Sequence, residues 1–264
     1  MQFEPAKEQM VIMHPVRGKG EDFRLLGCIV DCMLTMDSAI AAILKKVRPK
    51  IKSLLRTRIF YSAAEMVRQY KTHILSLMEF HTGSIFHAKD SAFRQLEDIQ
   101  RSFLQQIGLT ENDAFLDFNL APLRLRRDIA ILGFLHKANL GRCHPSIRKF
   151  FRVGSVSNGR TVAELDAPAW HNKRLESFDG QVRQHRDLYD RSILGMVRIY
   201  NILPQSIVDE SSVRGFQSKL TMVARYKCEY GRSNWHSFLS PRYEDLDRIM
   251  HNPAFKICAP FVID

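Results

Sequence analysis

At 264 residues with 45% hydrophobic side chains, the chain is long enough for one large or two modest units around a packed core, and it is expected to fold. Lys and Arg number 39 against 28 Asp and Glu, a net charge of +11 that favours phosphate-bearing or otherwise anionic partners. No apolar run reaches the roughly 18 to 20 residues a bilayer span needs and no charged-then-apolar leader opens the chain, while the five scattered cysteines, Cys28, Cys32, Cys143, Cys228 and Cys258, fit free thiols in a reducing, intracellular compartment better than a disulfide framework.

Met10-Val-Ile-Met13 and Leu25 to Val30 are apolar runs of strand length separated by the breaker-rich Pro15 to Gly20, a pattern that predicts a small antiparallel hairpin. From about Asp37 the period changes. Ile40, Ile43, Leu44, Val47, Ile51, Leu54 and Leu55 recur at the spacing of an amphipathic helix. Pro49 interrupts that stripe, and a proline inside a helix costs about 3 kcal/mol, so a kink or break is expected there.

Ser62-Ala-Ala-Glu65 is a capping box opening a helix to about Phe80. A second helix opens near Ser91, carries Phe93, Leu96, Ile99, Phe103 and Ile107 at helical spacing, and closes at Gly108. Thr110 to Asp113 starts a short helix, and Pro122 suits the first turn of another that Gly141 stops after Leu140. Ile129 to Leu135 is apolar nearly all round, so that stretch is expected to be buried. Gly154, Gly159, Pro168 and Gly180 with weak periodicity mark a linker over 153–190. Beyond it one helix ends at Tyr200 to Pro204, one runs from Ser211 or Ser212 to near Gly231, and Pro241 opens a last one.

Four groups of residues stand in a particular order: Phe3-Glu-Pro-Ala-Lys7; Phe23-Arg-Leu-Leu-Gly-Cys-Ile-Val-Asp31 with Leu34-Thr35; Tyr70-Lys71 with Glu79-Phe80 and Leu96 to Arg101; and Tyr200-Asn-Ile-Leu-Pro204 with Phe216 and Leu220. In that order they resemble the late palm, primer grip, paired thumb helices and tail of the reverse transcriptases of non-LTR (LINE-type) retrotransposons. The order carries the resemblance; no single motif is specific. It departs from the family pattern at Glu4, Glu8, Cys28, Met36 and Ala39. The resemblance implies that Leu26 and Gly27 form the primer grip and that Lys7 acts in an intact enzyme as the general acid protonating the departing pyrophosphate, against its reading as a solvated lysine. Asp31 also matches, against its reading as a turn or cap carboxylate. The resemblance further implies an RNA template and DNA primer as partners, with the catalytic aspartates, and the magnesium of an intact polymerase, on an upstream half ahead of residue 1.

The fold expected on this basis is mainly α. A β element with the primer-grip hairpin occupies 1–36, a thumb-like helical bundle 37–152, the linker 153–190 and a second helical unit 191–264. Two-metal phosphoryl transfer needs closely set carboxylates, and no aromatic-Xaa-Asp-Asp sequence occurs. Asp245 and Asp247 suit a helix start, and neither a zinc ligand set nor a phosphate loop is complete. The chain alone is therefore expected to bind and not to polymerise, with no cofactor of its own.

Charge is concentrated. Residues 41–72 hold nine Lys and Arg against Glu65 alone, and 123–160 hold nine against Asp128 alone. Lys45, Arg48, Lys52 and Arg56 line one side of the first helix, displaced from its apolar stripe, as a thumb helix tracking a template-primer would require. Arg124, Arg126 and Arg127 are the corresponding candidates in the second segment. The alternatives are a solvated face and a helical interaction module, derived from such an element, whose basic face meets an acidic protein.

Overall fold

The computed structural model describes residues 10–153, 171–176, 185–231 and 235–242. The chain forms two compact units, residues 1–99 and 100–264. It is mainly helical with one small two-stranded antiparallel sheet near its N-terminus.

In the first unit the apolar run at Met10 does not become a hairpin partner of residues 25–30. Only Ile12 bridges, to Lys19, around a turn in which His14 Nδ1 accepts the amides of Val16 and Arg17 at 3.1 and 2.9 Å. The hairpin lies instead inside the stretch expected to be one strand: β1 (Phe23–Leu25) pairs antiparallel with β2 (Cys28–Val30), Phe23 opposite Val30 and Leu25 opposite Cys28. Leu26 and Gly27 form the two-residue turn between them, both at positive φ, 48° and 85°, the pairing that matches the twist of flanking strands.

The carboxylate of Asp31 then receives the amides of Thr35 at 2.9 Å and Met36 at 2.5 Å. It starts α1 (Asp37–Arg56) by satisfying donors that precede the helical ladder. Ile40, Ile43, Leu44, Val47 and Ile51 are buried on one side of α1, and β2 packs against this helix. The helix continues unbroken through Pro49. Each buried aliphatic side chain contributes about 1.5–3 kcal/mol of transfer free energy, so the five outweigh a proline cost of about 3 kcal/mol. Pro49 is also exposed, where water can replace the missing donor.

After Thr57, whose hydroxyl bonds the Leu54 carbonyl at 2.7 Å, a 3-10 turn (Arg58–Phe60) leads to α2 (Ala63–Tyr70). The Ser62–Glu65 capping box forms as the sequence predicts. A π-helical turn, Lys71–Leu75, joins α2 to α3 (Ser76–Glu79), so the expected helix is continuous but locally widened. Next come α4 (Thr82–Ile85) and α5 (Asp90–Gln106). The division between the units falls within α5.

The second unit holds α6 (Glu111–Leu116), opened by the Thr110–Asp113 capping box, α7 (Leu123–Asn139), α8 (Pro145–Arg148), α9 (Arg186–Asp190), α10 (Met196–Asn201), α11 (Gln205–Val208) and α12 (Val213–Glu229), capped by Ser212. Eleven residues of α7 are buried, so it must be covered on several sides, and α10 and α12 pack against it. The helices that the linker reading assigns to different domains thus share one core. Most of that linker, and the helix expected from Pro241, lie outside the described residues. Arg225 of α12 donates to the Phe115 and Leu116 carbonyls at 3.1 and 2.6 Å, acceptors at the C-terminal end of α6.

Candidate functional site

On α1, Lys45, Arg48, Lys52 and Arg56 are all exposed. At 100° per residue they fall within an arc of roughly 80°, and their row is about 16 Å long. Burial of the adjoining apolar stripe fixes the helix, so the cations stand on a stiff support. Among the described residues no carboxylate pairs with any of the four, and the only acid on α1 is Asp37 in its first turn. Arg48, Lys52 and Arg56 succeed one another at i,i+4, a like-charge spacing that destabilises a helix by about 0.2–0.5 kcal/mol per pair. Packing does not explain that cost.

The hairpin turn is the second feature of this unit. Leu26 is 92% exposed, and a Cβ placed on Gly27 would meet His81 Cε1 at 3.7 Å. Burial, and secondarily the charge of Lys46, push the His81 imidazole below its ordinary pKa, so at neutral pH it is the uncharged ring that lies beneath the turn. Phe80 sets its ring edge-on to His81 at 4.7 Å. Asp31, bonded to two amides, acts structurally as the carboxylate of the α1 start.

The arginines of the second segment are placed differently. Arg127 is 4% exposed, an interior position on α7, and Arg124 and Arg126 are half-buried and already engaged. They do not form a second exposed row.

Sequence reading missed the buried polar network of this unit. His136 Nε2 lies 2.8 Å from the Glu210 carbonyl, and a carbonyl only accepts, so Nε2 carries the proton. Nδ1 then accepts from the Tyr200 hydroxyl at 3.0 Å. The ring is stacked on Phe216 at 4.1 Å. His171 Nε2 donates likewise to the Tyr200 carbonyl at 2.9 Å, and its Nδ1 accepts the Lys173 amide at 3.1 Å. Burial holds both imidazoles below their ordinary pKa and pushes the Tyr200 phenol up. Asn201 pairs its side-chain amide with both backbone groups of Leu175 at 2.9 and 2.8 Å. No local signal marks these residues, because all their partners but the Lys173 amide are distant in sequence.

Cys28 and Cys228 are free, buried thiols, their pKa raised by burial; Cys32 and Cys143 are free and half-buried. Among the described residues no three His, Cys, Asp or Glu converge as a metal site, and no helix is long and apolar enough to cross a membrane. The Phe3–Lys7 motif with Lys7, Asp245, Asp247 and Cys258 lie outside the described residues. No family model, curated protein or solved structure matches the chain.

Proposed function

We propose that the exposed face of α1 binds the sugar-phosphate backbone of a nucleic acid, with Lys45, Arg48, Lys52 and Arg56 each meeting a phosphate. The observation that carries this reading is a row of four like charges without a carboxylate partner among the described residues. A polyanion would relieve the repulsion along the row, and binding would release its condensed counterions. The resemblance of the chain to the thumb of a LINE-type reverse transcriptase supports the same reading, with an RNA template and DNA primer as the ligands it suggests. No catalytic step is assigned: two-metal phosphoryl transfer needs converging carboxylates, and among the described residues no three His, Cys, Asp or Glu converge, so the proposal is of binding alone.

The test replaces all four residues with Gln, which keeps helix propensity close to that of Lys and Arg. With the fold confirmed by circular dichroism, the slope of log affinity against log salt should fall by roughly 3, four contacts at about 0.7–0.9 each. The loss should be nearly independent of base sequence, since phosphate contacts carry no sequence information. An unchanged slope in the folded variant overturns the reading, and tight binding to an acidic polypeptide in place of nucleic acid would identify the face as a protein-docking surface.

A further inference from the structure

We propose that the turn at the end of the basic row, carrying Phe60 and Tyr61, is a stacking platform for unpaired bases, which makes single-stranded nucleic acid the preferred ligand of this face. The inference rests on the backbone-binding reading of α1 and names the form of ligand that face takes.

Phe60 is 76% exposed and Tyr61 45%, beside Ile59 at 78%. Phe60 is largely open to water and Tyr61 nearly half so, and neither is stacked on another ring among the described residues. They are nevertheless held in place. The Phe60 amide donates to the Thr57 carbonyl at 2.9 Å, Thr57 is tied back to Leu54 of α1, and Ser62, the residue after Tyr61, is fixed by its capping box at the start of α2. The turn is thus anchored at both ends, so little ordering entropy would be lost when a base settles on it.

Charge selects the occupant. Arg56 and Arg58, both exposed, stand four and two residues before Phe60, and the turn continues the row of α1 without a carboxylate until Glu65. A cationic track that ends on exposed aromatic rings is the arrangement with which proteins hold single strands: the cations follow the phosphates and the rings take the bases, whose π-faces are all alike. A duplex hides those faces in its own stack. An apolar protein segment would cover the rings but leave the Arg56 guanidinium at the end of the row without counter-charge.

The test compares the parent chain with a Phe60→Ala, Tyr61→Ala variant. Each is titrated at one salt concentration with a mixed-sequence single strand, as ribo- and as deoxyribo-oligonucleotide, and with a long blunt duplex. The variant should bind single strands of both kinds about tenfold more weakly or worse, bind duplex within about twofold of the parent, and keep the parent's salt slope because no cation has been removed. In the parent, 2-aminopurine placed in the single strand should lose fluorescence on binding through stacking, a readout independent of how the variant folds. Equal single-strand affinity of variant and parent, an equal loss on duplex, or an unquenched 2-aminopurine overturns the stacking platform. Salt-dependent binding that ignores Phe60 and Tyr61 removes only this inference; absence of salt-dependent binding in the parent removes the backbone reading and this one with it.

Discussion

His136 Nδ1 lies 3.0 Å from the hydroxyl of Tyr200, 64 residues later in the chain, and this bond ties α7 to α10 inside the second unit. His136 is fully buried, so the bond cannot be exchanged for one to water when it is lost. Tyr200→Phe would keep the ring and delete only the donor, leaving Nδ1 unsatisfied. The expected destabilisation is about 1–3 kcal/mol, measured by denaturant unfolding with unchanged slope. A Tyr200→Phe chain as stable as the parent would show that the network contributes nothing.

Protonation tests the same network. The imidazoles of His136 and His171 are held below the ordinary 6.5 chiefly by burial, so the unfolded chain takes up protons first as pH falls. Their contribution to stability is therefore complete above about pH 6.5 and is lost as pH drops through the folded-state values. His81 shifts the same way. The carboxylates held low, Glu65, Asp113 and Glu210, act only below their ordinary values near 4, beneath the range from pH 7.5 to 5. Thermal midpoints measured from pH 7.5 down to 5 should decline, and His136→Gln should flatten the decline; a constant midpoint in the parent contradicts the neutral buried pair.

Asp31 distinguishes a structural carboxylate from a chemical one. Its two oxygens receive the Thr35 and Met36 amides, and hydrogen bonds to a charged group are worth about 1.5–3 kcal/mol. Asp31→Asn, which can present only one acceptor oxygen, should lower stability by about 1–3 kcal/mol and leave the salt slope of nucleic-acid binding unchanged. If the variant keeps full stability but binds differently, the residue faces the ligand.

The hairpin turn makes a graded prediction. Gly27 sits at φ 85°, where an L side chain costs about 1–2 kcal/mol and Asn less than most. Gly27→Val should therefore destabilise the first unit clearly more than Gly27→Asn, read from thermal unfolding. Equal midpoints for the two variants would mean that the turn relaxes out of the left-handed region.

The parts of the fold that were legible in the sequence are those whose cause lies within a few residues. The reciprocal bonds of Ser62 with Glu65 and of Thr110 with Asp113 span three positions, and the stripe from Ile40 to Ile51 needs only the helical period. Helices stop before Gly108 and Gly141 for equally local reasons. The exposed row on α1 follows as the complement of that stripe, which is why Lys45, Arg48, Lys52 and Arg56 could be named from spacing alone. Tertiary structure decided what depends on distant neighbours. The turn at Leu26–Gly27 interrupts an apolar run that carries no Asn or Asp, so pairing between β1 and β2 set it. Arg127 lies on a helix with eleven buried residues because α10 and α12 return to cover α7. His136 meets Tyr200 and Glu210 across 64 and 74 residues, a pairing that arises only when burial leaves each polar atom no other partner.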